Sequence, residues 1–112
     1  APANCPSFLA ASAIDPQMAM FAYSNGAASF PGAGVVTATA PGVAVRIAAR
    51  GGGIRYGEGT SFAAAHAAGL AALWAEADPT ADVPTLRARL VESVETLPLP
   101  AADIGAGLLR AP

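Results

Sequence analysis

The sequence predicts an α/β layered domain, residues 1–112, with a mostly parallel sheet, a buried central helix and a C-terminal amphipathic helix. Three observations predict it. Ser7-Phe8-Leu9-Ala10-Ala11-Ser12-Ala13-Ile14 is a short apolar run without alternation, bounded by Pro6 and by Asp15-Pro16, as in a strand buried on both faces of a parallel sheet. From Ser61 to about Ala75 the chain is apolar on almost every helical face, so that helix needs cover all round. Residues 86–97 place Leu86, Leu90, Val94 and Leu97 on one stripe at helical spacing. Together these elements call for helices packed on a sheet.

Between these anchors the chain reads in order. Phe21-Ala22-Tyr23-Ser24 runs into Asn25-Gly26, a turn dipeptide tolerant of positive φ, and residues 26–34 read as a loop. Val35-Val36-Thr37-Ala38-Thr39-Ala40 is a β-branched run closed by Pro41-Gly42. Val43, Val45 and Ile47 alternate with Ala44, Arg46 and Ala48, as in a strand with one wetter face. Arg50-Gly51-Gly52-Gly53 is a hairpin-like connection, and Ile54-Arg55-Tyr56 returns. Gly69 weakens the long helix by about 1 kcal/mol relative to alanine, which implies close packing there. Glu76, Asp78 and Pro79 end that helix. Asp82 caps the next, with Pro84 in its first turn, where a missing N–H does no harm. Arg87, Arg89, Glu92 and Glu95 lie off its stripe, and Pro98 to Pro100 ends it.

Composition narrows the function. Hydrophobic residues make up 54% of the 112 and charged residues 12%, too apolar for disorder. The net charge is −2, and the six basic residues are all arginine without a cluster, so nucleic acid is not an expected partner. No apolar run is long and glycine-free enough to propose a membrane span. Cys5 is the single cysteine, which excludes an internal disulfide and a CxxC metal site, and it is expected to be a small buried hydrophobe. The chain begins Ala1-Pro2, with no charged segment ahead of an apolar one, and is expected to be a processed product or part of a longer protein. Gly57-Glu58-Gly59 has neither the lysine of a phosphate loop nor dinucleotide spacing. No cofactor is expected.

The chemistry concentrates in Gly59-Thr60-Ser61-Phe62-Ala63-Ala64-Ala65-His66-Ala67-Ala68-Gly69. A serine at a helix start can cap it by accepting a backbone N–H bond. It also lies at the positive end of the helix dipole, which suits a nucleophile whose reaction creates an oxyanion. On Gly-Thr-Ser alone the cap is the better reading. The full stretch resembles the nucleophile motif of the subtilisin-like serine proteases, G-T-S-x-A-x-P-H-V-A-G, with Ala65 in place of proline and Ala67 in place of valine. Pro2-Ala3-Asn4-Cys5-Pro6 with the apolar run and Asp15 resembles a second segment of that family. Phe21 to Gly26, Val36 to Gly42 and Gly105 to Leu109 resemble three more.

The resemblance implies the C-terminal part of a three-layer subtilisin-like catalytic domain, present here as a partial fold. It implies a serine endopeptidase with Ser61 as the catalytic nucleophile and a peptide or protein substrate. Gly59, Thr60, Pro2 and Asn4 would border that substrate. It also implies secretion. A family aspartate that in some members helps hold calcium falls on Thr37, a poor ligand for a hard cation, so no metal site is expected.

A serine nucleophile needs a base, and the base needs an orienting group. In the family both precede the serine, yet no histidine precedes Ser61. His66 lies five residues on, about 140° round the helix, and is expected to be a packed, hydrogen-bonded core histidine. Two readings follow. The chain contributes Ser61 to a catalytic domain completed in cis or in trans by an N-terminal half, and is inactive alone. Alternatively it is a non-catalytic remnant or scaffolding piece that buries its apolar face on a partner.

Overall fold

The computed structural model describes residues 3, 5, 7–24 and 34–112. Four strands and three helices follow one another: β1 (Ala11–Ile14), β2 (Ala38–Pro41), β3 (Val45–Ala48), β4 (Ile54–Gly57), α1 (Thr60–Ala77), α2 (Val83–Glu92) and α3 (Ala101–Ile104).

β1 and β2 run parallel, in register from Ala11 opposite Ala38 to Ile14 opposite Pro41. The Thr37 hydroxyl accepts from the Ala10 N–H at 3.1 Å, so this side chain ties the two strands together where they begin. The far end of the chain adds a further line to the sheet. Thr39 N–H donates to the Gly107 carbonyl at 2.8 Å, Leu109 N–H donates to Thr39 at 3.0 Å, and Leu108 exchanges two bonds with Glu95.

Strand alternation sorts side chains into two layers of core. Ala13, Ala38 and Ala40 meet Ala63 and Ala67 of α1, with Leu90 of α2 and Leu109 closing the cluster. The opposite face carries Ile14, packed with Leu97, Leu108 and Ile104 of α3. Helices therefore cover both faces of the strands, which makes three layers. The alanines explain how close the first layer is: short side chains on both elements let the helix backbone lie near the strands.

β3 and β4 form an antiparallel hairpin, Val45 opposite Gly57 and Ala48 opposite Ile54. Its turn passes through Gly51, Gly52 and Gly53 at φ of 87°, 103° and 83°, a left-handed run that only successive glycines tolerate.

α2 begins as its sequence predicts. Asp82 is the N-cap, and its Oδ1 accepts from the Thr85 N–H at 2.9 Å. The helix ends earlier than the apolar stripe suggests, at Glu92 with Ser93 as C-cap. Val94 and Leu97 keep their inward positions because residues 94–97 continue as an extended segment pairing with Leu108, and the segment after Pro98 starts α3 instead of closing α2.

Three further expectations are corrected. A Cβ on Gly69 would meet nothing within 4 Å, so no close packing is made there by this chain. α1 is central but covered on one side only: Ala64, Ala65, Ala68, Ala72 and Leu73 are exposed because no element of these residues lies against them. Cys5 is exposed, with Sγ 3.0 Å from Ser7 Oγ, and those hydrogen bonds hold its thiol below the ordinary value.

Candidate active site

The carboxyl ends of β1 and β2 position the helix that carries Ser61. Gly42 follows β2 directly; its N–H donates to the Ile14 carbonyl at 3.0 Å, and its carbonyl accepts from Gly59 N–H at 2.7 Å. The turn ahead of α1 is thus tied to the end of the parallel pair, the position where open α/β sheets place their ligands. Gly42 is buried there without room for a side chain: an added Cβ would lie 2.5 Å from Ala13 Cβ and 2.9 Å from the Gly59 carbonyl oxygen. The sequence marks Gly42 only as part of a turn signal; its role in seating Gly59 comes from this three-way contact.

Gly59 is the N-cap of α1 at φ 140°, ψ 160°, an extended region of positive φ open essentially to glycine. Thr60 is the first helical residue and Ser61 the second. Both Gly59 and Thr60 are half-buried, and Ser61 is exposed. The capping expectation for Ser61 is not met, since no side chain caps α1. The physical reason is positional: Ser61 is already inside the first turn, past the residue whose side chain can fold back onto the free N–H groups. Among the described residues, Thr60 and Ser61 donate no backbone hydrogen bond, whereas Phe62 N–H donates to Gly59 at 3.1 Å. An exposed hydroxyl therefore lies beside unsatisfied N–H donors at the positive end of an 18-residue helix. Such a group can attack an electrophilic carbon and have the resulting negative charge met by backbone donors.

His66 is hydrogen-bonded but not in the core. It is exposed, and its Nδ1–H donates to the Phe62 carbonyl one turn back at 2.9 Å. That bond holds the ring along its own helix, where it borders a cleft of about 470 Å³ with Ile14, Asp15, Pro41, Val45 and Arg46. Asp15 spends one carboxylate oxygen on its own turn, accepting from the N–H groups of Gln17 and Ala19 at 2.8 and 2.9 Å. Ser24 is structural: its Oγ accepts from the Ala13 N–H at 3.1 Å on the edge of β1 away from β2, where Phe21 N–H also donates to the Ala13 carbonyl. Pro2 and Asn4 lie outside the described residues. Among the described residues no cluster of three His, Cys, Asp or Glu could hold a metal ion. Among them, no helix is long and apolar enough to cross a membrane.

Three layers, parallel strands and a serine in the first turn of a helix at their carboxyl ends define the class as a layered α/β fold. A sequence model of the subtilase family matches residues 1–107, and the chain belongs to that family. A comparison with curated proteins returns no match. Among solved structures, the patellamide maturation protease PatA is similar over 97% of this chain and 42% of its own, at 31% identity and a TM-score of 0.72. Proteases from Pseudoalteromonas arctica are 25% identical over 96% of this chain and 35% of theirs, with a TM-score of 0.79. The CspB protease of Clostridium perfringens shares the fold at 20% identity and a TM-score of 0.78, over 96% of this chain and 26% of its own. The chain thus spans well under half the length of each of these structures.

Proposed function

We propose that residues 1–112 are the C-terminal, nucleophile-bearing portion of a subtilisin-like serine endopeptidase domain, which cleaves peptide bonds through an acyl-enzyme on Ser61. The exposed position of Ser61 in the first turn of α1, beside the free N–H groups of Thr60 and Ser61, carries this reading. Ser61 Oγ attacks the scissile carbonyl carbon and loses its proton to a base; the oxyanion draws on those N–H groups, and the amine leaves with a proton as the ester forms. Gly59 and Thr60, with Pro2 and Asn4, border the substrate.

The base comes from outside this chain. His66 is the single histidine, and its Nδ1 proton is engaged by Phe62 on another side of the helix. Activity therefore requires the remainder of the domain, in cis or in trans, and the isolated chain is inactive. Such a peptidase would act outside the cytosol, as a secreted enzyme. A fluorophosphonate probe applied to the complete domain tests this. Wild type labels and Ser61→Ala does not; equal labelling of both ends the proposal.

The exposed apolar side of α1 favours one other reading, a non-catalytic piece that buries that side on a partner. In that case the complete assembly forms, yet Ser61 stays unlabelled.

A further inference from the structure

The six arginines fall into two sets. Three are occupied within the chain. Arg89 lies 2.7 Å from Asp78, Arg110 lies 3.0 Å from Glu95, and Arg87 donates to the Phe8 carbonyl at 2.9 Å. The other three, Arg46, Arg50 and Arg55, all belong to the β3–β4 hairpin and are exposed. All eight acidic residues of the sequence are among the described residues, and none forms an ion pair with these three. Residues 45–57 hold three arginines and no acid, in a chain whose net charge is −2.

The same hairpin presents apolar surface. Tyr56 is 70% exposed and Ile54 is 59% exposed. The register sets Arg46 opposite Tyr56 and Ala48 opposite Ile54, so these four share one face. The hairpin is also joined firmly to the nucleophile turn. β4 ends at Gly57, only Glu58 separates it from Gly59, and a Cβ on Gly57 would lie 2.6 Å from the Phe62 ring. Between hairpin and helix runs a groove of about 610 Å³ bordered by Val45, Arg46, Ile47, Phe62, His66 and Leu73.

We propose that the β3–β4 hairpin docks an acidic segment of the substrate polypeptide on the face that Arg46 shares with Tyr56 and Ile54, with Arg46 and the turn residue Arg50 meeting its carboxylates and Tyr56 and Ile54 its apolar neighbours; Arg55, opposite Ile47, belongs to the other face. The proposal rests on reading Ser61 as the nucleophile of a peptidase. These guanidinium groups form no ion pair within the chain, so an incoming carboxylate displaces none. Planar guanidinium also suits bidentate carboxylate recognition. A polynucleotide is the weaker candidate, since the chain as a whole is acidic and has no lysine. Exposed pairs of this kind contribute about two- to fivefold each in affinity, so Arg46 and Arg50 together give about four- to twenty-fivefold.

The test uses the complete domain with Ser61→Ala, which stops turnover, and measures fluorescence anisotropy of labelled peptides of equal length. A glutamate-rich peptide should bind about four- to twenty-fivefold more tightly than its glutamine-rich counterpart, and the gap should close as salt rises. Combined Arg46→Glu and Arg50→Glu should turn the preference toward a lysine-rich peptide, whereas Arg55→Glu, on the other face, should leave it unchanged. If the double variant fails to fold, Arg46→Gln and Arg50→Gln singly should each lose about two- to fivefold. Equal binding of all peptides overturns the proposal, as does a preference that survives the charge reversal or an oligonucleotide that outcompetes the acidic peptide. Normal fluorophosphonate labelling of wild type without acidic preference sinks this inference alone. Absent labelling with acidic binding intact sinks the peptidase reading instead.

Discussion

The two sides of α1 are built from nearly the same residues and meet opposite environments. One side sets Ala63 and Ala67 against Ala13, Ala38 and Ala40, with Leu70 and Trp74 packed beside them. The other carries Ala64, Ala65, Ala68, Gly69 and Leu73 in the open. Polar and charged residues, the ordinary marker of a solvent face, are nearly absent from both. The comparison shows that an apolar helix reports a need for cover without reporting which polypeptide supplies it. Here β1, β2 and α2 supply half. The exposed half is where the rest of a domain more than twice this length is proposed to lie.

Paired substitutions break that symmetry. Ala63→Glu puts a carboxylate where exposure is 0% and no cation is near, and should cost about 3–5 kcal/mol of stability. Ala65→Glu, on the exposed side, should change the melting of the 112-residue chain by no more than about 0.5 kcal/mol. In the complete domain the second substitution should become as harmful as the first. Denaturant titrations of the chain and of the whole domain give the four numbers needed. If Ala65→Glu stays neutral in the complete domain, that side of α1 is a true solvent face and the proposed completion is wrong.

Gly69 sharpens the same contrast at lower cost. With nothing within 4 Å of its would-be Cβ, Gly69→Ala should stabilise the isolated chain by about 0.5–1 kcal/mol through helix propensity and unfolded-state entropy. In the complete domain the gain should vanish or reverse if another backbone passes there. A gain of equal size in both settings would mean that the glycine has no packing role.

These residues also show where sequence reading succeeds and stops. Local chemistry was legible: Asp82 caps α2, the Gly51–Gly53 run turns a hairpin, and Ser61 falls in the opening turn of a helix. Each depends on neighbours within a few positions. What failed depends on contacts distant in the chain. The stripe from Leu86 to Leu97 reads as one helix, but Glu95 pairs with Leu108, and that bond pattern ends the helix at Glu92. Gly59, not Ser61, is the cap, because the Gly42 carbonyl fixes the Gly59 N–H and with it the point where helical dihedrals begin. The resemblance puts His66 at the motif's own structural histidine and so in the core, although that side of the helix has no cover in this chain. The four-residue α3 carries no periodic signal at all.

The smallest expected effect concerns the junction between the two long helices, which lies away from the exposed side of α1 and should respond alike in chain and complete domain. The Asp78 carboxyl is held below its ordinary value by bonds from the Thr80 side chain and backbone, with Arg89 adding to them. Asp82 is held low by the Thr85 hydrogen bonds at the start of α2. Both groups have depressed values in the folded state. Their contribution is therefore complete above the unfolded carboxyl value of about 3.9 and is lost as pH falls below it. Between about pH 4 and pH 2 the melting midpoint should drop more steeply for wild type than for the Asp78→Asn, Asp82→Asn pair. Asparagine keeps a cap acceptor at residue 82 but does not titrate. Circular dichroism melts across that range read the difference, and raised salt should leave the Asp82 share intact while weakening the Asp78–Arg89 share. Parallel acid limbs for the two proteins would mean that these carboxylates do not hold the α1–α2 junction.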